Sequence, residues 1–107
     1  MTVYVDDVRH RYGRMVMCHM WADDPLELLA MADAIGVDRK WLQGPPTASW
    51  LHFDVSLGAK AKAIALGAVL TDKYGPAEHV ARQAIKSAER KLAMIAAARA
   101  RRQEPTT

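Results

Sequence analysis

The sequence predicts a small α/β protein, with about four short strands in a mainly parallel or mixed sheet and three helices, the last long and basic. Three observations carry this reading. Residues 2–5, 15–20, 50–55 and 68–71 are short apolar, β-branched or aromatic runs of strand length. Between and after them lie stretches whose apolar residues recur at helical spacing. The two kinds alternate along the chain, as they do in layered α/β domains. At 107 residues, 50% hydrophobic and 25% charged, the chain suits one globular domain. A core over residues 2–75, a helix over 77–101 and a frayed tail over 102–107 are expected.

Taken in order, Val3, Tyr4 and Val5 favour a strand that Asp6 and Asp7 end. Residues 8–14 hold Arg9, His10, Arg11 and Arg14 around Tyr12 and Gly13, which reads as a basic loop turning at the glycine. The apolar run 15–20 reads as a second strand, covered on both faces. Asp24 followed by Pro25, with Glu27 three residues on, marks a helix start. Leu28, Met31, Ala32 and Ile35 give that helix its buried stripe, and Gly36 its stop. A short strand is expected near Trp41, before Pro45 and Pro46 break the chain into a loop.

Residues 50–55 alternate with period two, which puts Trp50, His52 and Asp54 on one face. Ser56 or Asp54 can cap a second helix running through Leu66, with Gly67 as its stop. After a compact strand over 68–71, residues 77–101 contain almost no helix breaker. Val80, Ile85, Leu92 and Ile95 belong to their apolar stripe, and Arg82, Lys86 and Arg90 to a basic one.

Charge is unevenly placed. Residues 1–59 carry five Lys/Arg against eight Asp/Glu, net −3, and residues 60–107 carry ten against four, net +6. No run approaches the roughly 18 apolar residues of a membrane span, and no signal-peptide pattern opens the chain. Cys18 is the single cysteine, so an internal disulfide is excluded and a reducing, cytoplasmic setting is expected.

The residues that can carry chemistry stand where strands end: Asp6 and Asp7, then His19 with Asp23 and Asp24, then His52 with Asp54. In a parallel sheet all three clusters would emerge at one edge, where open α/β folds bind ligands. Imidazole and carboxylate together suit proton transfer near neutral pH, or a metal site of nitrogen and oxygen ligands. Each has a structural alternative. Asp24 is accounted for as a helix cap, Asp54 can cap the second helix, His19 can be a satisfied core histidine, and Cys18 a buried filler. No zinc, phosphate-loop or nucleophile-elbow motif is present.

Several short motifs, in this order, resemble the domain-of-unknown-function 4031 family of bacteria and their phages. They are Val3 to Asp7 with Arg9, Cys18 to Met20 with Ala22 and Asp23, Glu27 with Leu28, Gly36 with Trp41, and His52 to Asp54. The resemblance covers about residues 2–72 and leaves the long helix outside. Phe53 stands where the family's tyrosine is usual, which removes a hydroxyl. The resemblance implies a shared polar site and a bacterial or phage origin, but no activity.

The expected function is binding, with hydrolysis or transfer, of a nucleotide-like or otherwise phosphorylated small molecule. His52 is the expected general acid or base, Asp54 its orienter, and His19 and Asp23 complete the catalytic set. Asp6 and Asp7 would bind a divalent metal or ribose hydroxyls, Arg9 and Arg14 anionic groups, and Trp41 the ligand's flat body. Whether the protein is an enzyme stays open, as does the metal's identity. The alternative is a nucleic-acid- or protein-binding module acting through Arg82, Lys86 and Arg90. A homo-oligomer joined along the long helix is a third expectation.

Overall fold

A computed structural model describes residues 2–103, so the end of the expected frayed tail, residues 104–107, lies outside the described residues. The chain forms two compact units, Met1–Pro76 and Ala77–Thr107. The first unit is an α/β fold organised around one eight-residue strand, β3 (Met15–Ala22).

β3 is paired along both edges. On one edge lie β1 (Val3–Val5) and β2 (His10–Tyr12), and on the other β4 (Phe53–Ser56). The assignment follows from Met17, which faces both His10 and Ser56, and from Met20, which faces both Val5 and Phe53. A residue has only two lateral neighbours, so β1 and β2 share an edge. β5 (Val69–Leu70) pairs parallel to β1, and every other pairing is antiparallel.

Between β1 and β2 the chain spends four residues, 6–9, against only two of β3, 18–19. This is an enlarged β-bulge, with two more residues on the outer chain than on β3. The Asp6 N–H still donates to the His19 carbonyl, at 3.2 Å. Gly13 turns the β2–β3 hairpin at φ 60°, with Arg14 at ordinary negative φ, as a two-residue loop with glycine first requires.

Alternation along β3 separates two faces. Cys18, Met20 and Ala22 meet Val3, Val5, Phe53 and Val55 in a buried core. α1 (Pro25–Ile35) and α2 (Leu57–Ala65) cover that face through Leu28, Ala32, Ile35 and Ala63. Each large side chain fully buried here stabilises the fold by about 1.5–3 kcal/mol relative to exposure. The opposite face carries Tyr4, His10, Met17, His19, Trp21 and Asp54, by their registers with one another.

Both helix starts follow from the sequence. Asp24 accepts the Leu26 N–H at 2.7 Å, and Ser56, rather than Asp54, caps α2 by accepting from Ala59 at 3.1 Å. α1 ends at Gly36, in the left-handed region at φ 78°, with the Val37 N–H returning to the Ala32 carbonyl at 2.8 Å. α2 carries the chain from β4 on one edge to β5 on the other, and both strands run in the same direction as β1.

Three expectations need correction. The sheet has five strands, not four, because the basic segment 8–14 forms β2 instead of a loop. Its charged, exposed residues leave little apolar signal, and the pairing with β3 supplies the strand. Near Trp41 there is a 3₁₀ turn, Arg39–Trp41, capped by Asp38, where a strand was expected. The run 50–55 enters the sheet only at Phe53. His52 instead exchanges two backbone hydrogen bonds with Gln43, each 2.9 Å, which close the neck of the proline loop.

The second unit consists of most of α3 (Gly75–Gln103), a 29-residue helix somewhat longer than expected. No residue of it is buried, and Val80, Ile85, Leu92 and Ile95 stand exposed along its apolar stripe. Arg82 pairs with Glu78 one turn back, at 2.8 Å. The helix opens at Gly75, where a β-carbon would overlap Thr71 Oγ1 and come within 2.9 Å of Trp21 Cη2. Among the described residues, no helix is long and apolar enough to cross a membrane.

Candidate functional site

Because the sheet is largely antiparallel, the polar clusters do not emerge together at one strand edge. They meet on the sheet's open face through cross-strand register. His19 and Asp54 are directly opposed on β3 and β4, and His10 lies across β3 from Ser56, both facing Met17. His52, two residues before Asp54, falls on the same face.

Asp6 is the buried anchor of the group, with 0% of its surface exposed. The bulge turns its carboxylate under His19, where it accepts twice. The His19 N–H reaches Oδ1 at 3.0 Å and Nδ1 reaches Oδ2 at 2.7 Å. A carboxylate only accepts, so the Nδ1 proton is fixed towards Asp6 and Nε2 faces outwards. His52 is held the same way by a different group. Its Nδ1 lies 3.0 Å from the Trp50 carbonyl, and the Trp50 ring stacks on the imidazole at 4.2 Å. Burial pushes the His52 pKa below its ordinary 6.5, with the Trp50 carbonyl and Asp54 opposing, so its neutral form is favoured.

Both Nε2 atoms are directed towards Asp54, and in a neutral ring with its proton on Nδ1 each presents a lone pair there. His19 Nε2 is 3.8 Å and His52 Nε2 3.5 Å from Oδ1, and His10 Nε2 is 3.9 Å from Oδ2. Gln43 donates to Asp54 Oδ2 at 2.8 Å, whereas Oδ1 is buried and accepts no hydrogen bond. His10, His19 and Asp54 bring three ligand-type atoms within 4.8 Å of one another. Aromatic rings enclose the cluster, with Trp50 and Trp21 at 5.7 Å between centroids and Tyr4 stacked on Trp21 at 5.8 Å.

Beside Asp54 opens a groove of about 640 Å³, edged by Tyr12, Met15, Trp41 and Leu42, with Gln43 and Asp54 in its wall. Trp41 is 61% exposed there, with the Lys40 ammonium 5.2 Å from its ring centre.

Of the residues expected at the site, the structure thus brings together Asp6, His19, His52 and Asp54, and sets Trp41 on the adjoining groove. Asp23 lies apart and receives the Tyr4 hydroxyl at 3.4 Å. Asp7 is exposed within the bulge, and Arg9 and Arg14 form no ion pair among the described residues. The orienting pair also differs. Asp6 holds His19, and the Trp50 carbonyl, not Asp54, holds His52. His10 and Gln43 were missed. The period-two spacing of His10 and Tyr12 across Gly13 from the apolar run was the signal for the first; nothing local marks the second. Cys18 lies behind the site in the core, where burial pushes its thiol up to about 11.

A search of curated proteins and of solved structures gives no match. The sequence profile described as Protein of unknown function (DUF4031) matches residues 3–97. That span includes Asp6, His10, His19, His52 and Asp54, and it extends well into α3, beyond the region where the motif resemblance was expected to end. With most of its length matched, the chain belongs to the DUF4031 family.

Proposed function

We propose that the protein binds a nucleotide-like, phosphorylated small molecule, with the flat part of the ligand in the groove and its anionic end at the histidines. The observation that carries this reading is the continuity of the two: Asp54 belongs both to the groove wall and to the histidine cluster. Exposed Tyr12 and Trp41 offer ring faces to a base, as aromatic edges of small-molecule sites do. His52, neutral and with Nε2 directed into the site, is the group suited to accept a proton from an attacking water or hydroxyl.

The test is a panel of nucleoside mono-, di- and triphosphates against metal-free protein, read by thermal shift and calorimetry. A ligand should raise the melting temperature, and Trp41→Ala should weaken it at least tenfold while leaving the unliganded melting temperature unchanged. Absence of any response to the panel, or equal binding by Trp41→Ala, refutes the reading.

A second reading concerns α3, whose exposed Ile85 and Leu92 lie seven residues apart on one face. They favour pairing with a second apolar helix over tracking a nucleic acid. In the full-length chain, Ile85→Glu with Leu92→Glu should lower the solution mass measured by light scattering; an unchanged mass excludes this reading.

A further inference from the structure

We propose that His10, His19 and Asp54 form a binding site for one divalent transition-metal cation at the polar end of the groove. In an otherwise satisfied cluster, Asp54 Oδ1 is left without a partner. Asp6 and the Trp50 carbonyl engage Nδ1 of His19 and His52, so the two Nε2 atoms, ligand atoms in the neutral rings, are left facing a carboxylate oxygen that only accepts. Gln43 occupies Asp54 Oδ2, and Oδ1, buried, has no donor. Acceptors crowded on one point repel unless a positive centre lies between them.

Distances separate a cation from a direct ion pair. The separations of 3.5–3.9 Å are too long for charge-assisted hydrogen bonds of about 2.7–2.9 Å. For the ligand groups themselves, His19 Nε2 lies 3.8 Å from Oδ1 and His10 Nε2 3.9 Å from Oδ2, a few tenths of an ångström beyond the roughly 3.4 Å between ligand atoms that share a tetrahedral ion at about 2.1 Å each. Two imidazoles and a carboxylate suit borderline ions such as zinc, cobalt or iron and leave positions for water or a ligand oxygen.

The surroundings fit as well. Asp6 behind His19 is the carboxylate–histidine arrangement that fixes a ligand's tautomer and raises its basicity. Gln43 leaves Asp54 one oxygen with which to bind. The cation would meet the anionic end of the proposed small molecule, and in that respect alone the inference rests on the function proposed above.

The experiment titrates metal-free, full-length protein with Co²⁺ and Zn²⁺ separately and without nucleotide, by calorimetry and by visible absorption for cobalt. One equivalent should bind, with the intense visible bands of a four- or five-coordinate cobalt. His10→Ala, on a partly exposed hairpin position that leaves the core intact, should weaken binding more than a hundredfold. Asp6→Asn should weaken it about 10–100-fold. Asp33→Asn, which removes an exposed carboxylate paired with Arg39, should leave it unchanged. Less than half an equivalent bound, or equal affinity in His10→Ala and the wild type, overturns the proposal. Metal binding without any nucleotide response upholds this site and rejects the nucleotide reading; nucleotide binding by a protein that takes up no metal does the reverse.

Discussion

Asp6→Asn tests the site's foundation in the protein without ligands. The carboxylate is fully buried and accepts two hydrogen bonds from one residue, the His19 N–H and its Nδ1. An asparagine has one acceptor oxygen and one donor nitrogen in the same plane. If the oxygen faces the backbone N–H, the amide nitrogen faces Nδ1, and two donors collide unless the ring gives up its Nδ1 proton. One buried hydrogen bond is thereby lost or the tautomer changes. An unsatisfied buried polar group costs about 1–3 kcal/mol, a large part of the 5–15 kcal/mol by which such domains are stable. Urea unfolding should show this loss, and the ¹⁵N shifts of the His19 ring should move its proton from Nδ1 to Nε2. The exposed neighbour provides the comparison, since Asp7→Asn should stay within about 0.5 kcal/mol of the wild type. A change under 0.5 kcal/mol for Asp6→Asn, with the His19 proton still on Nδ1, would refute the assignment of Asp6 as the anchor.

Four further outcomes follow from the packing and the hairpin turn. Gly75→Ala places a methyl against Thr71 Oγ1 and Trp21 Cη2 and should destabilise the protein by about 1–3 kcal/mol in chemical unfolding; an unchanged midpoint would show that the approach relaxes freely. Cys18 should react with a thiol reagent at pH 8 only after denaturation, because burial holds the thiol protonated up to about 11. Its raised folded pKa has a definite sign in stability: the contribution is full below the unfolded value near 9 and is lost as pH rises towards 11, so the unfolding midpoint should fall less over that range in Cys18→Ala than in the wild type. Gly13→Val forces a branched residue into φ 60° at the hairpin turn and should lower the melting temperature by several degrees.

Much of the fold is legible because its signals are local. Asp24, Pro25 and Gly36 bound α1 by capping chemistry that depends on a few neighbouring residues, and Ser56 does the same for α2. β2 carries no such signal. His10, Arg11 and Tyr12 are a strand only because Met15 to Met17 lie beside them. The site shows the same division. Histidine and aspartate at strand ends mark Asp6, His19, His52 and Asp54 as residues of interest, yet which of them meet depends on register between segments distant in sequence. Asp23 stands beside the run that contains His19 and still faces Tyr4 instead. Gln43 joins only because two backbone bonds to His52 close the loop between them.

The bulge at residues 6–9 has a consequence for how this chain tolerates change in length. Tyr4 before it and His10 after it fall on the same side of the sheet because their partners on β3, Trp21 and Met17, do. The tight turn at Gly13 ties His10 to Met17 independently of the residues between Asp6 and His10. One residue added or removed in that segment would therefore be taken up by the bulge, with β1, β3 and the face of His10 kept. What such a change would disturb is the reach of the Asp6 carboxylate to His19, so this stretch sets the anchor of the site more than the register of the sheet.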